Sequence, residues 1–272
     1  MTTTGTLSSV LDEDPRLDAA VRLARASGRM ALERLARAQV SWKSDESMLT
    51  DVDLTIEDVL RNELAGMFPG DAVLGEERRW PGTPADSEYV WVLDPIDGTN
   101  NFGRGIPGFA ISIGILRGGM PVAGVVFDPV SDHLFAGRDD RGAWLNGRPL
   151  RLEPVALSRR SLCSIRAPYE GLVPTFVLGW LRRYRLRRLG STALTLCYVA
   201  LGALAFAHDQ RASLWDIAGA VPVLLEAGGS LSTPDGAEIF PVDAGRVRDS
   251  IAFLAGDPIA HHEALLDIRA AS

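Results

Sequence analysis

Lysine is almost missing from this chain: Lys43 stands alone beside 27 arginines, a bias that reads as codon composition rather than as a charged function. Acidic residues outnumber basic ones, 35 to 28, for a net charge of −7, so the basic excess that nucleic-acid binding demands is absent. Cysteine is equally scarce. Cys163 and Cys197 share no CxxC spacing, so the expectation is two buried thiols in a reducing compartment and no disulfide framework. The four histidines, His133, His208, His261 and His262, lack the HExxH spacing of a zinc centre and are expected to be structural or at the surface. A membrane span is also missing. The longest uncharged run, Gly190 to Ala207, is diluted by Ser191, Thr192, Thr195 and Gly202, whereas a span needs about 20 mostly apolar residues. That run is expected to form a buried helix capped by Ser191 or Thr192, broken at Gly202 and followed by a buried strand. Asp12, Glu13 and Asp14 sit where a secretion signal would need an apolar stretch, so a cytoplasmic location is expected.

What remains is ordinary globular composition, 46% hydrophobic and 23% charged over 272 residues, with no repeat or low-complexity linker. Leu17, Val21, Leu23, Ala24, Met30, Leu32, Leu35 and Ala36 recur at helical spacing and predict an amphipathic helix over 15–40. Residues 41–50 are polar and aperiodic and predict a loop. Asp53 or Thr55 then opens a second helix that runs to Phe68. Short apolar runs follow at 72–74, 89–93, 110–116, 121–127, 133–136 and 143–145, with Gly118-Gly119 and Asn146-Gly147 as tight turns, and they predict a largely antiparallel middle. Beyond residue 158 helices and strands alternate: strands at 161–165, 185–188 and 251–255, helices at 173–181, 191–201, 216–227 and 258–269. Layered α and β structure is the consequence.

The chemistry concentrates in DPIDGTNNF, Asp94 to Phe102, directly after the apolar strand Tyr89 to Leu93. Two carboxylates sit at a strand's carboxyl end, and Pro95 between them turns the chain and frees the Ile96 carbonyl to point at the same spot. Gly98 permits close backbone approach, and Thr99 starts a short helix whose amides suit an anion. Acids beside anion-binding amides call for a cation between them. Two more acidic sites follow strands or open helices: Glu76 in Gly75-Glu76-Glu77, and Asp216 in Leu214 to Ala220. Glu77 reads as a solvated surface acid, and Asp216 taken alone reads as a helix cap. Gathered together, Glu76, Asp94, Asp97 and Asp216 would repel one another until cations neutralised them, and hard oxygen ligands favour Mg2+ or Mn2+ over zinc.

DPIDGTNNF, FPGDAVLGEE at Phe68 to Glu77, and WDIAGAVPVLLEAGG at Trp215 to Gly229 resemble the three signature regions of the inositol monophosphatase family of magnesium-dependent, lithium-sensitive phosphatases. The likeness spans Trp42 to the final helix. It implies an α+β fold layered αβαβα, as in fructose-1,6-bisphosphatase, built as one catalytic domain with an N-terminal part about 15–158 and a C-terminal part about 159–270. It also implies two to three Mg2+ ions: one on Glu76, Asp94 and the Ile96 carbonyl, a second on Asp94, Asp97 and Asp216, a third held loosely by Glu76. Asp53 matches the acid that hydrogen-bonds the signature threonine, here Thr99, and Lys43 matches the lysine of a mobile loop. Glu76 and Thr99 would position the attacking water while Gly98 and Thr99 amides hold phosphate.

The resemblance places substrate contacts at Asp97, Gly98, Thr99, Gly190, Ser191, Thr192, Asp209 and Asp216, with Asp209 where some members carry glutamate. The arginines at 182, 183, 185, 187 and 188 could attract an anionic substrate but read rather as a solvated or subunit-facing stretch. Inositol 1-phosphate is the main substrate expectation. The alternatives are histidinol phosphate, fructose 1,6-bisphosphate, a nucleotide 3′-phosphate, or a non-catalytic scaffold on the same fold. NNF in place of the KEF common after the motif in nucleotide 3′-phosphatases lowers that option, and five intact site residues argue against the scaffold. The partners implied are a small phosphorylated substrate and a second copy in a homodimer, with no nucleic acid and no membrane.

Overall fold

The structure, a computed structural model, describes residues 6–35, 37–43, 47–78, 87–166, 169, 172–243 and 250–271. Helices α1 (Leu7–Glu13) and α2 (Pro15–Arg34) open the chain, capped by the side chains of Thr6 and Asp14. Pro15 has no N–H to give to α1, so one helix stops and the next starts there. The helix expected over 15–40 ends at Arg34, and β1 (Val40–Trp42) pairs antiparallel with β2 (Met48–Thr50). The loop expected over 41–50 is therefore flanked by a short hairpin, because ladder hydrogen bonds come from the backbone and do not require an apolar alternation. Ala36 and residues 44–46 lie outside the described residues. Helix α3 (Asp51–Met67) begins with a Thr50–Asp53 capping box.

The first sheet then runs in sequence order, β3 (Ala72–Gly75), β4 (Tyr89–Asp97), β5 (Ala110–Arg117), β6 (Met120–Asp128), β7 (His133–Arg138), β8 (Gly142–Leu145) and β9 (Arg148–Leu150), with α4 (Thr99–Phe102) between β4 and β5. Only β3 with β4 is parallel; the rest are antiparallel, as the sequence pattern predicted. Both predicted tight turns carry positive φ at both central residues, 58° and 81° at Gly118-Gly119 and 50° and 79° at Asn146-Gly147.

The second sheet collects β10 (Leu162–Ile165), β11 (Arg185–Arg187), β12 (Phe206–Ala212), β13 (Ser230–Ser232) and β14 (Ile251–Gly256), in the order β11-β10-β12-β14-β13. Its helices are α5 (Thr175–Arg183), α6 (Thr192–Ala200), α7 (Leu214–Ala218), α8 (Val221–Glu226) and α9 (Pro258–Ala270). One helix was expected over 216–227, but Pro222 lacks an N–H and its ring would collide with the Ala218 carbonyl, so the segment divides into α7 and α8.

Apolar faces set the layers. Leu17, Leu23, Ile56 and Leu60 of α2 and α3 pack against Trp91, Ile113 and Val125 on one face of the first sheet. Val126 and Phe135 on its other face share a core with α6, α8 and the second sheet's Phe253 and Ala255. Val177 and Trp180 of α5, with Leu265 and Ile268 of α9, cover the outer face. The fold is a mixed αβαβα stack. A row of cross-strand neighbours, Gly114, Gly124 and Gly137, brings the middle layer onto the first sheet. A Cβ at these positions would lie 2.6 Å from Ala218, 2.2 Å from Gly219 and 2.4 Å from Pro222, so the α7–α8 junction rests directly on backbone. That contact carries Asp216 to the end of β4. No described helix is long and apolar enough to cross a membrane.

Candidate active site

Asp94 and Asp97 are three residues apart and would face opposite sides of a regular strand. The β4–β5 register shows how they come together: Asp94 pairs with Ser112 and Asp97 with Ala110, so β4 carries one extra residue. The bulge contains Pro95, which has no ladder hydrogen to lose, and it turns both carboxylates into one cavity. Ile96 donates its N–H to Asp94 at 3.1 Å, and its carbonyl accepts the Thr99 hydroxyl at 3.0 Å. Gly98 follows at φ 102°, where its missing Cβ avoids the Gly108 carbonyl at 3.0 Å. The short helix α4 then begins at Thr99.

Asp94, Asp97 and Asp216 bring one oxygen each to within 4.8 Å of one another. Burial, then the charge of Glu76, holds the Asp94 carboxyl well above the usual carboxylate range. Burial, then Asp97, does the same for Asp216, while burial raises Asp97 to about 6 against the pull of its Ser191, Ala193 and Thr192 hydrogen bonds. Such a trio is relieved by protons or by a cation. Its all-oxygen donor set fits a hard divalent ion, with the Ile96 carbonyl and Glu76 lining the same cavity of about 510 Å3.

Glu76 sits one residue past β3, its N–H bonded to the Leu93 carbonyl at 3.2 Å. Lys43 donates to Glu76 at 2.7 Å and to Glu77 at 2.8 Å, and this carboxylate pair holds the lysine well above its usual range despite burial. Glu77 is thus a correction: its side chain is 3% exposed, not a solvated surface acid. It is also pushed up to about 7, chiefly by burial and then by Glu76. Asp53, at the head of α3, accepts Thr99 at 3.2 Å as well as its Thr50 cap, and burial raises it to about 6.

Asp97 also anchors the opposite wall. It accepts the hydroxyl of Ser191 and the amides of Thr192 and Ala193, at 3.2 Å and 2.6 Å, at the start of α6. Gly190, Ser191 and Thr192 line the cavity, with the first α6 amides spent on Asp97. Asn101, not singled out from the sequence, ties the Gly108 and Leu189 carbonyls together at 2.7 and 2.8 Å; its presence in DPIDGTNNF was the available signal.

Asp209 lies 4% exposed on the second sheet's side, receiving the Arg211 N–H at 2.8 Å and Arg166 at 3.3 Å. Of the arginine stretch, Arg183 pairs with Asp267, while Arg188 is solvent-exposed and also lines the cavity. His208 also borders the cavity, yet its Nδ1 lies 2.9 Å from the Phe253 carbonyl and its ring packs on Phe176 and Trp180, a structural role. Both cysteines are free and buried.

The model of the inositol monophosphatase family matches residues 12–271. Inositol monophosphatase 3 of Solanum lycopersicum is 34% identical over 249 residues, covering 88% of this chain and 92% of its own. The Nus factor SuhB of Pseudomonas aeruginosa is 33% identical over 238 residues, covering 83% and 88%. Among solved structures, the Thermotoga maritima IMPase superposes with a TM-score of 0.84 at 28% identity, covering 95% of this chain and 98% of its own.

Proposed function

The chain belongs to the inositol monophosphatase family, a family of metal-dependent phosphatases, and from that premise we propose that it hydrolyses the phosphate ester of a small polyol, inositol 1-phosphate first, with Mg2+. The observation that carries this reading is the convergence of Asp94, Asp97 and Asp216 within 4.8 Å beside the Asp53–Thr99 hydrogen bond. Two to three ions would be held by Glu76, Asp94, the Ile96 carbonyl, Asp97 and Asp216, with Mn2+ an acceptable substitute. When bound, they supply Lewis acidity toward phosphate and water.

The chain's own residues do the positioning. The single hydroxyl hydrogen of Thr99 lies between Asp53 and the Ile96 carbonyl, which leaves the oxygen's lone pairs to accept a hydrogen from water. Glu76 orients the same water from the first sheet's edge. The N–H groups of Gly98 and Thr99 face the phosphate at the start of α4. Gly190, Ser191, Thr192 and Asp209 form the wall that meets the alcohol, with Asp97 and Asp216 reaching it from the metal side.

Histidinol phosphate, fructose 1,6-bisphosphate and nucleotide 3′-phosphates are the alternative esters. A non-catalytic role is kept in view by the likeness to a Nus factor. A homodimer in the cytoplasm and inhibition by lithium complete the proposal. Phosphate release from inositol 1-phosphate, measured with Mg2+ and after thorough chelation, tests it. Magnesium-dependent release that Asp94→Asn abolishes supports the reading; no release from any of these esters overturns it.

A further inference from the structure

The alcohol wall of the cavity is not what a neutral polyol alone would need. Asp209, the acid expected to receive substrate hydroxyls, has both oxygens engaged by the chain itself, one by the Arg211 N–H at 2.8 Å and one by Arg166 at 3.3 Å. Its charge is balanced before any ligand arrives. Arg166 is fixed from the backbone, where its N–H meets the His208 carbonyl at 3.0 Å just beyond β10, and from the side chain, where Nη1 donates to the Arg211 carbonyl at 3.0 Å. The same nitrogen lies 3.8 Å from Asp216. The guanidinium carries five donor hydrogens in a planar fork, and these bonds use only Nη1. The side chain is 45% exposed and borders the cavity, as does Arg188. The site therefore has an acidic, cation-demanding end on the first sheet and a guanidinium-bearing end on the second.

We infer that Arg166 is a specificity determinant that selects phosphorylated polyols carrying a second anionic substituent, a carboxylate or a phosphate, over neutral polyol phosphates. Guanidinium donors grip carboxylate and phosphate oxygens through paired, charge-assisted hydrogen bonds, whereas a neutral hydroxyl receives one weaker bond. A substrate with a cationic arm meets Arg166 and Arg188 with like charge, and that repulsion discriminates against it. The inference rests on the phosphomonoesterase reading above and, within it, ranks doubly anionic esters ahead of inositol 1-phosphate.

Two matched pairs test it: 3-phosphoglycerate against glycerol 3-phosphate for a carboxylate, and fructose 1,6-bisphosphate against fructose 1-phosphate for a second phosphate. In at least one pair kcat/KM should favour the doubly anionic member by about tenfold or more, mostly through KM, and Arg166→Gln should bring that ratio close to one. Arg166→Lys, which keeps charge without the fork, should retain part of the preference. Because each ratio is taken within one protein sample, partial loss of folded protein does not move it. Equal treatment of both members of both pairs by the wild type, or a preference that survives Arg166→Gln, overturns the assignment. If no ester releases phosphate, the hydrolytic reading falls. Titration calorimetry with fructose 1-phosphate and fructose 1,6-bisphosphate then decides Arg166 by itself: tighter, Arg166-dependent binding of the bisphosphate supports it, and equal binding overturns it.

Discussion

The carboxylate of Glu57 accepts the backbone N–H of Glu77 at 2.7 Å, so a residue in the second turn of α3 holds the segment that carries Glu76. It also accepts the Arg78 N–H at 3.1 Å and Nε of Arg61 at 2.7 Å, and it is fully buried. Gly75 makes room for it, since a Cβ there would lie 2.2 Å from the Glu57 carboxylate. Replacing Glu57 with Ala strands two amides and a largely buried guanidinium, a loss of about 3 kcal/mol. Glu57→Ala should lower the thermal midpoint and raise the Mg2+ concentration for half-maximal activity, with Glu57→Gln, which keeps one acceptor oxygen, in between. An unchanged magnesium dependence in a folded Glu57→Ala protein would show that Glu76 needs no such support.

How much of this site could be read from the sequence depends on how far each interaction reaches. DPIDGTNNF was legible because strand, bulge, turn and helix start are consecutive, whereas helix α3, expected to open at Asp53 or Thr55, is capped by Thr50 and starts at Asp51. Glu57 carried no local signal, since its contacts lie 20 and 21 residues ahead. Arg166 joins Asp209 across 43 residues through the parallel pairing of β10 with β12, and nothing local to either residue announces it. The β1–β2 hairpin failed for a different reason. β1 is exposed throughout and β2, with Met48 and Thr50 buried, is only three residues long, too short to show a period, yet their backbones still pair.

Stability should respond to pH in opposite ways with and without metal. Folding raises Asp53 and Asp97 from 3.8 to about 6, and Glu77 from 4.5 to about 7, in each case mainly by burial. The folded chain then binds protons more tightly than the unfolded one, so this contribution is fully present below about pH 4 and is lost as pH rises to about 7. A shift of two pH units is worth roughly 3 kcal/mol per group. In chelator the thermal midpoint should fall between pH 4.5 and 7.5, and saturating Mg2+, which binds the ionised carboxylates, should flatten or reverse that slope. A midpoint in chelator that climbs across this window would contradict the carboxylate assignments.

Asp94 and Glu77 are both buried acids, but they face different partners. Asp94 has Asp97 and Asp216 within reach of a shared cation, whereas Glu77 already has Lys43 at 2.8 Å. Asp94→Asn should abolish detectable turnover and the midpoint gain from Mg2+. Glu77→Gln should cost about tenfold or less and keep that gain, because the amide still accepts from Lys43. Equal losses from the two would mean that Glu77, not only Asp94, touches the metal.

Thr99 separates water positioning from metal binding. Its hydroxyl is shared between Asp53 at 3.2 Å and the Ile96 carbonyl at 3.0 Å, while its backbone N–H lies at the start of α4, proposed above to hold phosphate. Thr99→Ala keeps the N–H and removes only the hydroxyl, so substrate KM and magnesium dependence should stay close to wild type. Turnover should fall about 10²-fold or more, the usual cost of removing one oriented hydrogen-bonding group from a transition state. Thr99→Ser restores the oxygen and should restore most of the rate. If Thr99→Ala turned over normally and only its magnesium requirement rose, the hydroxyl would belong to the metal's surroundings, and the Asp53–Thr99 pair would have no part in holding water.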